Sequence, residues 1–191
     1  MPNDVPEERT FTGGINDYFV ADNATTNFSF YLEAEKTLAD TSESSTTGLN
    51  VAVGERLTYK IVVDVPDDAA FSGVTLVDTL DTGLVYVSSD SVIASGSMST
   101  SLGSFGLVTP IVSGQSITWN LGTIDNSDIN DNTQESIVIR YDTRVANITG
   151  VQNGTNLVNG VILDWNGGTG TSVAATVNVV EPVVTIAKSV S

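Results

Sequence analysis

Apolar and polar positions alternate repeatedly along this chain, which is the mark of strands that bury one face. Leu57, Tyr59, Ile61, Val63 and Val65 alternate with Thr58, Lys60 and Asp64. Phe28, Phe30, Leu32 and Ala34 alternate with Ser29, Tyr31, Glu33 and Glu35. Val74 and Leu76 lead to Leu80, and Ile117, Trp119 and Leu121 form a further set. Ile137, Ile139, Tyr141 and Val145 follow, then Leu157, Val161, Leu163 and Trp165, then Val173, Ala175, Val177 and Val179. Turn-forming stretches separate these runs: Thr46 to Gly48, Pro66 to Asp68, Asp81 to Gly83, Asp125 to Asn132, and Gly167-Gly168. No segment keeps a helical period for three turns. Many short strands joined by turns predict an all-β, immunoglobulin-like β-sandwich.

The same periodicity divides the chain. Residues 1–27 read as an N-terminal extension or leading strand, and 28–182 as the sandwich. Glu181-Pro182 interrupts a strand, and a new one begins at Val183. The even positions Val184, Ile186, Lys188 and Val190 resemble Phe30, Leu32, Ala34 and Lys36, with the same apolar spacing followed by a lysine. Residues 183–191 therefore read as the first strand of a following repeat; the alternative is the last strand of this domain.

Strand parity also exposes polar residues on the wrong face, because i, i+2 and i+4 point the same way. Lys36 follows Leu32 and Ala34, Asp78 lies between Leu76 and Leu80, and Asn159 lies between Leu157 and Val161. The parity of Asn159 competes with that of Val158 and Ile162, which are apolar too. An unpaired charge in a core costs several kcal/mol, so such groups must meet partners. Burial would lower the lysine pKa and raise that of the aspartic acid. A neutral amine can then attack the asparagine side-chain carbonyl while the protonated acid polarises it and passes protons to the leaving ammonia. The product is a Lys–Asn isopeptide bond, formed once. Two other readings stand beside it: a buried ion pair next to an amide, and edge positions whose polar ends reach water.

Composition narrows the functional classes. The 191 residues suffice for one large β domain, or one domain with fragments of its neighbours. Cysteine and histidine are both absent, which excludes disulfides, thiolate or imidazole metal sites and any Ser-His triad. Paired carboxylates alone can hydrolyse a glycoside, but nothing else points to an enzyme. Formal net charge is −16, from 23 acidic against 7 basic residues, so the surface repels nucleic acid and anionic lipid. No apolar run spans a bilayer, and no basic-then-apolar leader opens the chain. Met1-Pro2-Asn3-Asp4 reads as an expression start, with any leader upstream of it.

Several segments together resemble a known family. They are VAVGERLTYKIVV from Val51, GVTLVDTLDTGLVYV from Gly73, LGTI from Leu121, LVNGVILDW from Leu157 and VEPVVTIAK from Val180. In this order they are similar to the prokaryotic surface-repeat family labelled domain of unknown function eleven, which overlaps the isopeptide-forming domains of fimbrial proteins. The resemblance covers most of residues 30–191. It implies an immunoglobulin-like sandwich, repeated in tandem on extracellular adhesins, fimbrial subunits or wall proteins, with adjacent repeats of the same polypeptide as partners. It also implies roles: Lys36 and Asn159 as the bonded pair, Asp78 as the acid that shuttles protons. Asp81 stands where the family pattern has proline, and Gly160-Val161 replace its small-apolar pair.

One further segment is rich in hard oxygen ligands. Asp125, Asp128, Asn130 and Asp131 lie between Ile124 and Ile137, and calcium favours such carboxylate and amide oxygens. Asp128, Asn130 and Asn132 open with the spacing of a helix-flanked calcium loop. Thr133 then replaces its glycine and Ile139 its glutamate, which leaves an irregular Ca2+ site or a solvated turn. Asp64, Asp67 and Asp68 form a second acidic group. Sequons at Asn23, Asn27, Asn147 and Asn153 follow from the threonine-rich composition. Trp119 and Trp165 fall on inward parity. The leading expectation is a covalently stapled structural spacer that needs no cofactor. The alternatives are an adhesive module binding glycan or protein, with or without calcium, and an accessory sandwich beside a catalytic domain.

Overall fold

The alternating runs form two packed sheets in the computed structural model, which describes residues 31–129, 133–170 and 172–181. The first sheet contains β1 (Glu33–Thr41), β3 (Arg56–Val65), β5 (Leu84–Ser89), β6 (Ile93–Ala94) and β10 (Glu135–Val145). The second contains β2 (Asn50–Val51), β4 (Ala69–Thr79), β7 (Met98–Thr100), β8 (Ile111–Ser113), β9 (Ser116–Asn126), β11 (Asn156–Trp165), β12 (Gly168–Thr169) and β13 (Val173–Val179). The first sheet runs β1-β3-β10-β5, with β6 also on β10; the second runs β2-β13-β11-β4-β9-β7, with β12 on β11 and β8 on β9. Every described pairing is antiparallel except β2 with β13. A single 3-10 turn at Phe105–Leu107 is the helical element among the described residues. The architecture is the expected immunoglobulin-like sandwich, and no described helix is long and apolar enough to cross a membrane.

The core lies between the sheets, where the alternation placed it. Leu57, Tyr59, Ile61, Val63 and Val65 of β3 are all buried, and Ile137, Ile139, Tyr141 and Val145 of the neighbouring β10 are buried on the same face of the sheet. Val74, Leu76, Ile117, Trp119, Leu121, Leu157, Val161 and Leu163 line the opposite face. Each such aliphatic side chain, fully removed from water, contributes about 1.5–3 kcal/mol. Val158 and Ile162 are exposed, so the ambiguous parity of β11 resolves with Asn159 inward.

Two bulges reset parity in the second sheet. In β9 the register steps from Gly122 opposite Val74 to Asn120 opposite Thr75, so Leu121 is the extra residue. Gly122 sits at φ +73°, a conformation open to glycine. Odd positions point inward before the bulge (Ile117, Trp119, Leu121) and even positions after it (Ile124, Asn126). β4 does the same around Gly73: Ala69 and Phe71 are buried on one side, Val74, Leu76 and Asp78 on the other.

Three expectations change. The turn placed from Asp125 begins later, because β9 continues through Asn126, with Asp125 opposite Ala70 on one side and Ser99 on the other. Trp165 is half-buried rather than core; it meets Phe71 edge-on, with ring centroids 5.9 Å apart. Residues 84–113 carry β5 to β8, strands of two to six residues, too short for the alternation to mark. Phe28, Phe30, the leading segment and the proposed strand of a following repeat lie outside the described residues, as does part of the 125–132 segment.

Candidate functional site

The two sheets each supply three side chains to one buried polar cluster. Lys36 of β1, Tyr59 of β3 and Tyr141 of β10 come from the first sheet. Their placement follows from register: Leu38, Tyr59 and Tyr141 lie abreast, and Lys36 is two residues along β1 from Leu38. Asp78 of β4, Trp119 of β9 and Asn159 of β11 come from the second. Asp78 lies opposite Val161, so Asn159 is its diagonal neighbour on the same inner face. Gly83 helps to seat that part of β11: a Cβ there would stand 2.5 Å from Leu157, two residues before Asn159. Asp81 caps the adjoining turn, accepting from the Gly83 backbone N–H at 2.9 Å.

A single hydrogen-bonded chain links the cluster. The Lys36 ammonium makes a close ion pair with Asp78 Oδ2, and both side chains are sealed from water. The Tyr141 hydroxyl donates to the same oxygen at 2.8 Å. Asn159 Nδ2 donates to the Tyr141 hydroxyl at 2.7 Å. The order is therefore lysine, aspartate, tyrosine, asparagine. Aromatic faces enclose it: the Lys36 nitrogen lies 5.3 Å from the Tyr59 ring centre and 5.5 Å from that of Tyr141. Tyr59 stacks on Tyr141 at 5.7 Å, and Trp119 leans on Tyr141 at 5.2 Å.

Burial sets the electrostatics. It pulls the Lys36 ammonium down to about 8, against the opposing attraction of Asp78. It pushes the Asp78 carboxyl up, against the opposing attraction and hydrogen bonds of Lys36 and Tyr141. Both shifts favour the neutral amine and neutral acid over the ion pair, relative to water. Burial also raises the phenols of Tyr59 and Tyr141 far out of the physiological range, so both keep their protons.

The cluster is polar but not fully paired. Asp78 Oδ1, Asn159 Oδ1, the Tyr59 hydroxyl and Trp119 Nε1 are buried without a hydrogen-bond partner. The Asn159 amide nonetheless lies near enough to Tyr59 to oppose the upward push of burial on its phenol. Each orphaned group costs about 1–3 kcal/mol, so this is an expensive place to leave polar atoms. The parity argument found Lys36, Asp78 and Asn159, and the fold brings all three together. It missed Tyr141, Tyr59 and Trp119, which were counted as core. Their inward hydroxyls and indole N–H were the available signal, since buried tyrosine and tryptophan usually find a partner.

The acidic segment is arranged differently. Asp125 projects outward from β9, and Asp128 is half-buried. Asn126 is buried and binds backbone: its Nδ2 donates to the carbonyls of Val65 and Pro66 at 3.2 and 3.1 Å, and its Oδ1 accepts from Asp128 N at 3.1 Å. The Asp68 N–H donates to the Asp128 carbonyl at 2.8 Å, which joins the two acidic groups at one end of the sandwich. Among the described residues no group of three carboxylates is placed to hold a metal ion. Asn130 and Asp131 lie outside the described residues.

Solved structures share this fold. The full-length major pilin RrgB from Streptococcus pneumoniae superimposes with a TM-score of 0.51 at 18% identity, over 73% of this chain and 24% of that one. The 35 kDa C-terminal fragment of the major pilin GBS80 of Streptococcus agalactiae gives 0.50 at 10% identity, over 78% and 56%. At these identities the likeness is one of fold. The chain spans less than half the length of the first pilins it matches. No family model and no curated protein matches the sequence, so the resemblance to the surface-repeat family rests on its motifs.

Proposed function

We propose that this chain is a structural spacer of a prokaryotic extracellular fibre or adhesin, stapled by an autocatalytic bond between Lys36 and Asn159. The observation that carries the reading is the ion pair of Lys36 and Asp78 in a dry core, one tyrosine away from a buried asparagine. A purely structural core gains little from such a group, because burying an ion pair costs about as much as its attraction returns. The fold shared with major pilins supports the same role, with neighbouring repeats of the polypeptide as partners.

The chemistry balances without a cofactor. Lys36 passes one proton to Asp78 and becomes a neutral amine. Its Nζ attacks Asn159 Cγ, and a C–N bond forms. The bond from Cγ to Nδ2 breaks, and Nδ2 leaves as ammonia with one proton returned by the acid. The attacking nitrogen then gives a proton to Asp78, which ends neutral beside the new amide. The reaction occurs once per chain and is not turnover.

The bond would also explain the architecture. β1 belongs to the first sheet and β11 to the second, so it would tie the two sheets through the core. It would enclose about 120 residues, and by analogy with disulfides a loop of that size stabilises by roughly 4–5 kcal/mol. Tension entering at β1 would pass to β11 along covalent bonds, in a chain that has no cysteine to do the same. Tryptic mapping tests the reading: a branched peptide joining the Lys36 and Asn159 segments is expected. Recovery of both segments only as linear peptides would reject it.

A further inference from the structure

We infer that Tyr141 is a catalytic residue of this reaction, the relay that carries the proton from Asp78 to the departing nitrogen of Asn159. The inference rests on the cross-linking role proposed above. Asp78 makes hydrogen bonds to Lys36 and to Tyr141, both through Oδ2, and none to Asn159. Its other oxygen has no partner. The nitrogen that must leave, Asn159 Nδ2, instead lies 2.7 Å from the Tyr141 hydroxyl. The acid and the leaving group are therefore connected through one hydroxyl, from the opposite sheet.

A hydroxyl suits this place because it donates and accepts at once. Before reaction the amide nitrogen is planar and donates to Tyr141, which donates to Asp78. Attack of Lys36 Nζ makes Asn159 Cγ tetrahedral and gives Nδ2 a lone pair. The same three heavy atoms can then reverse their protons. Asp78, protonated by Lys36, donates to the Tyr141 oxygen, and the Tyr141 proton passes to Nδ2. Nδ2 leaves as ammonia, and Tyr141 is again a neutral phenol. Its high pKa fits transfer in one concerted motion, with no phenolate formed.

The test compares Tyr141→Phe with Tyr86→Phe, a half-buried tyrosine of β5 outside the cluster, in the full chain. Each is collected in denaturant before it folds, then refolded and sampled by intact mass. Tyr86→Phe should lose one ammonia at close to the wild-type rate. Tyr141→Phe should regain the native circular dichroism spectrum but lose ammonia roughly a hundredfold more slowly, within the range for general acid catalysis. A Tyr141→Phe chain that matures at the wild-type rate overturns the relay while leaving the cross-link intact. A wild-type chain that never loses ammonia overturns the cross-link and the relay with it. Should Tyr141→Phe fail to fold, 3-fluorotyrosine at position 141 keeps the ring and both hydrogen bonds. The rate should then shift several-fold with the acidity of the phenol, and an unchanged rate counts against the relay.

Discussion

The sequence offers two polar clusters, and the fold treats them in opposite ways. Lys36, Asp78 and Asn159 are far apart in the chain, yet one hydrogen-bonded line through Tyr141 joins them in the core. Asp125, Asp128 and their neighbours are close in the chain, yet Asp125 points outward while Asn126 turns in to hold the backbone of Val65 and Pro66. The two clusters differ in what their backbone demands of them. A loop leaves side chains free to face water at no cost. A strand with one buried face does not, so an inward lysine has to be paired.

The comparison is sharpest where it is broken. Asp78→Ala should have the largest effect, because it removes the proton acceptor and leaves Lys36 without its counter-charge. The stranded lysine alone is expected to cost about 3–5 kcal/mol. Loss of the bond adds roughly 4–5 kcal/mol. Denaturant unfolding should show a midpoint far below wild type, with an unreacted mass. A midpoint within error of wild type would mean that the ion pair carries neither role.

Asn159→Ala should come next. It keeps the Lys36–Asp78 pair and removes the carbonyl that the lysine attacks, together with the hydrogen bond to Tyr141, and loss of the bond alone is expected to cost about 4–5 kcal/mol. Equal unfolding midpoints for Asn159→Ala and the wild type would show that no cross-link contributes to stability.

The rate of bond formation should depend on pH in a bell shape. The reactive cluster holds one proton shared between Lys36 and Asp78. On the alkaline side that proton is lost as Lys36 titrates at about 8, and the acid has nothing left to deliver. On the acid side Asp78 takes up a second proton and Lys36 stays charged, with that limb displaced upward because burial raises the carboxyl. The two limbs belong to the pair and not to either residue alone. Refolding at set pH with mass sampling measures the profile; a rate still climbing well above pH 8 would contradict it.

The smallest effects should lie in the acidic segment. Asn126→Ala removes its hydrogen bonds to the Val65 and Pro66 carbonyls and should cost about 1–3 kcal/mol without changing the loss of ammonia. Calcium chelation should leave the melting temperature unchanged. A drop on chelation would instead assign a native-state Ca2+ site to Asp125, Asp128, Asn130 and Asp131.

These contrasts also show what the sequence could carry. Strand parity held where alternation ran unbroken, so β3 and β10 were legible with their buried faces, whereas β11, apolar at Val158 and Ile162 as well, shows only in the fold that Asn159 points inward. It failed where a bulge shifts the count: the extra residue at Leu121 exchanges the faces of Asp125 and Asn126, and only the positive φ of Gly122 betrays it. β6, β7 and β8, of two or three residues, are too short to show a period. Tyr141 was legible as core but not as a member of the site. Its hydroxyl meets Asp78 and Asn159 across the gap between sheets, and no period within one strand reports what faces it from the other. The turn at Asp81, where the family pattern has proline, keeps its geometry by a side-chain cap on Gly83, so that departure leaves the cluster intact.

Intact mass of the purified wild-type chain, set beside Lys36→Ala and Asn159→Ala, tests the central claim most directly. The account predicts that the wild type is lighter than its sequence by one ammonia, and that each variant has the full mass of its own sequence. A wild-type mass equal to the unmodified sequence would contradict it, and would leave Lys36, Asp78, Tyr141 and Asn159 as a buried polar cluster without a covalent bond.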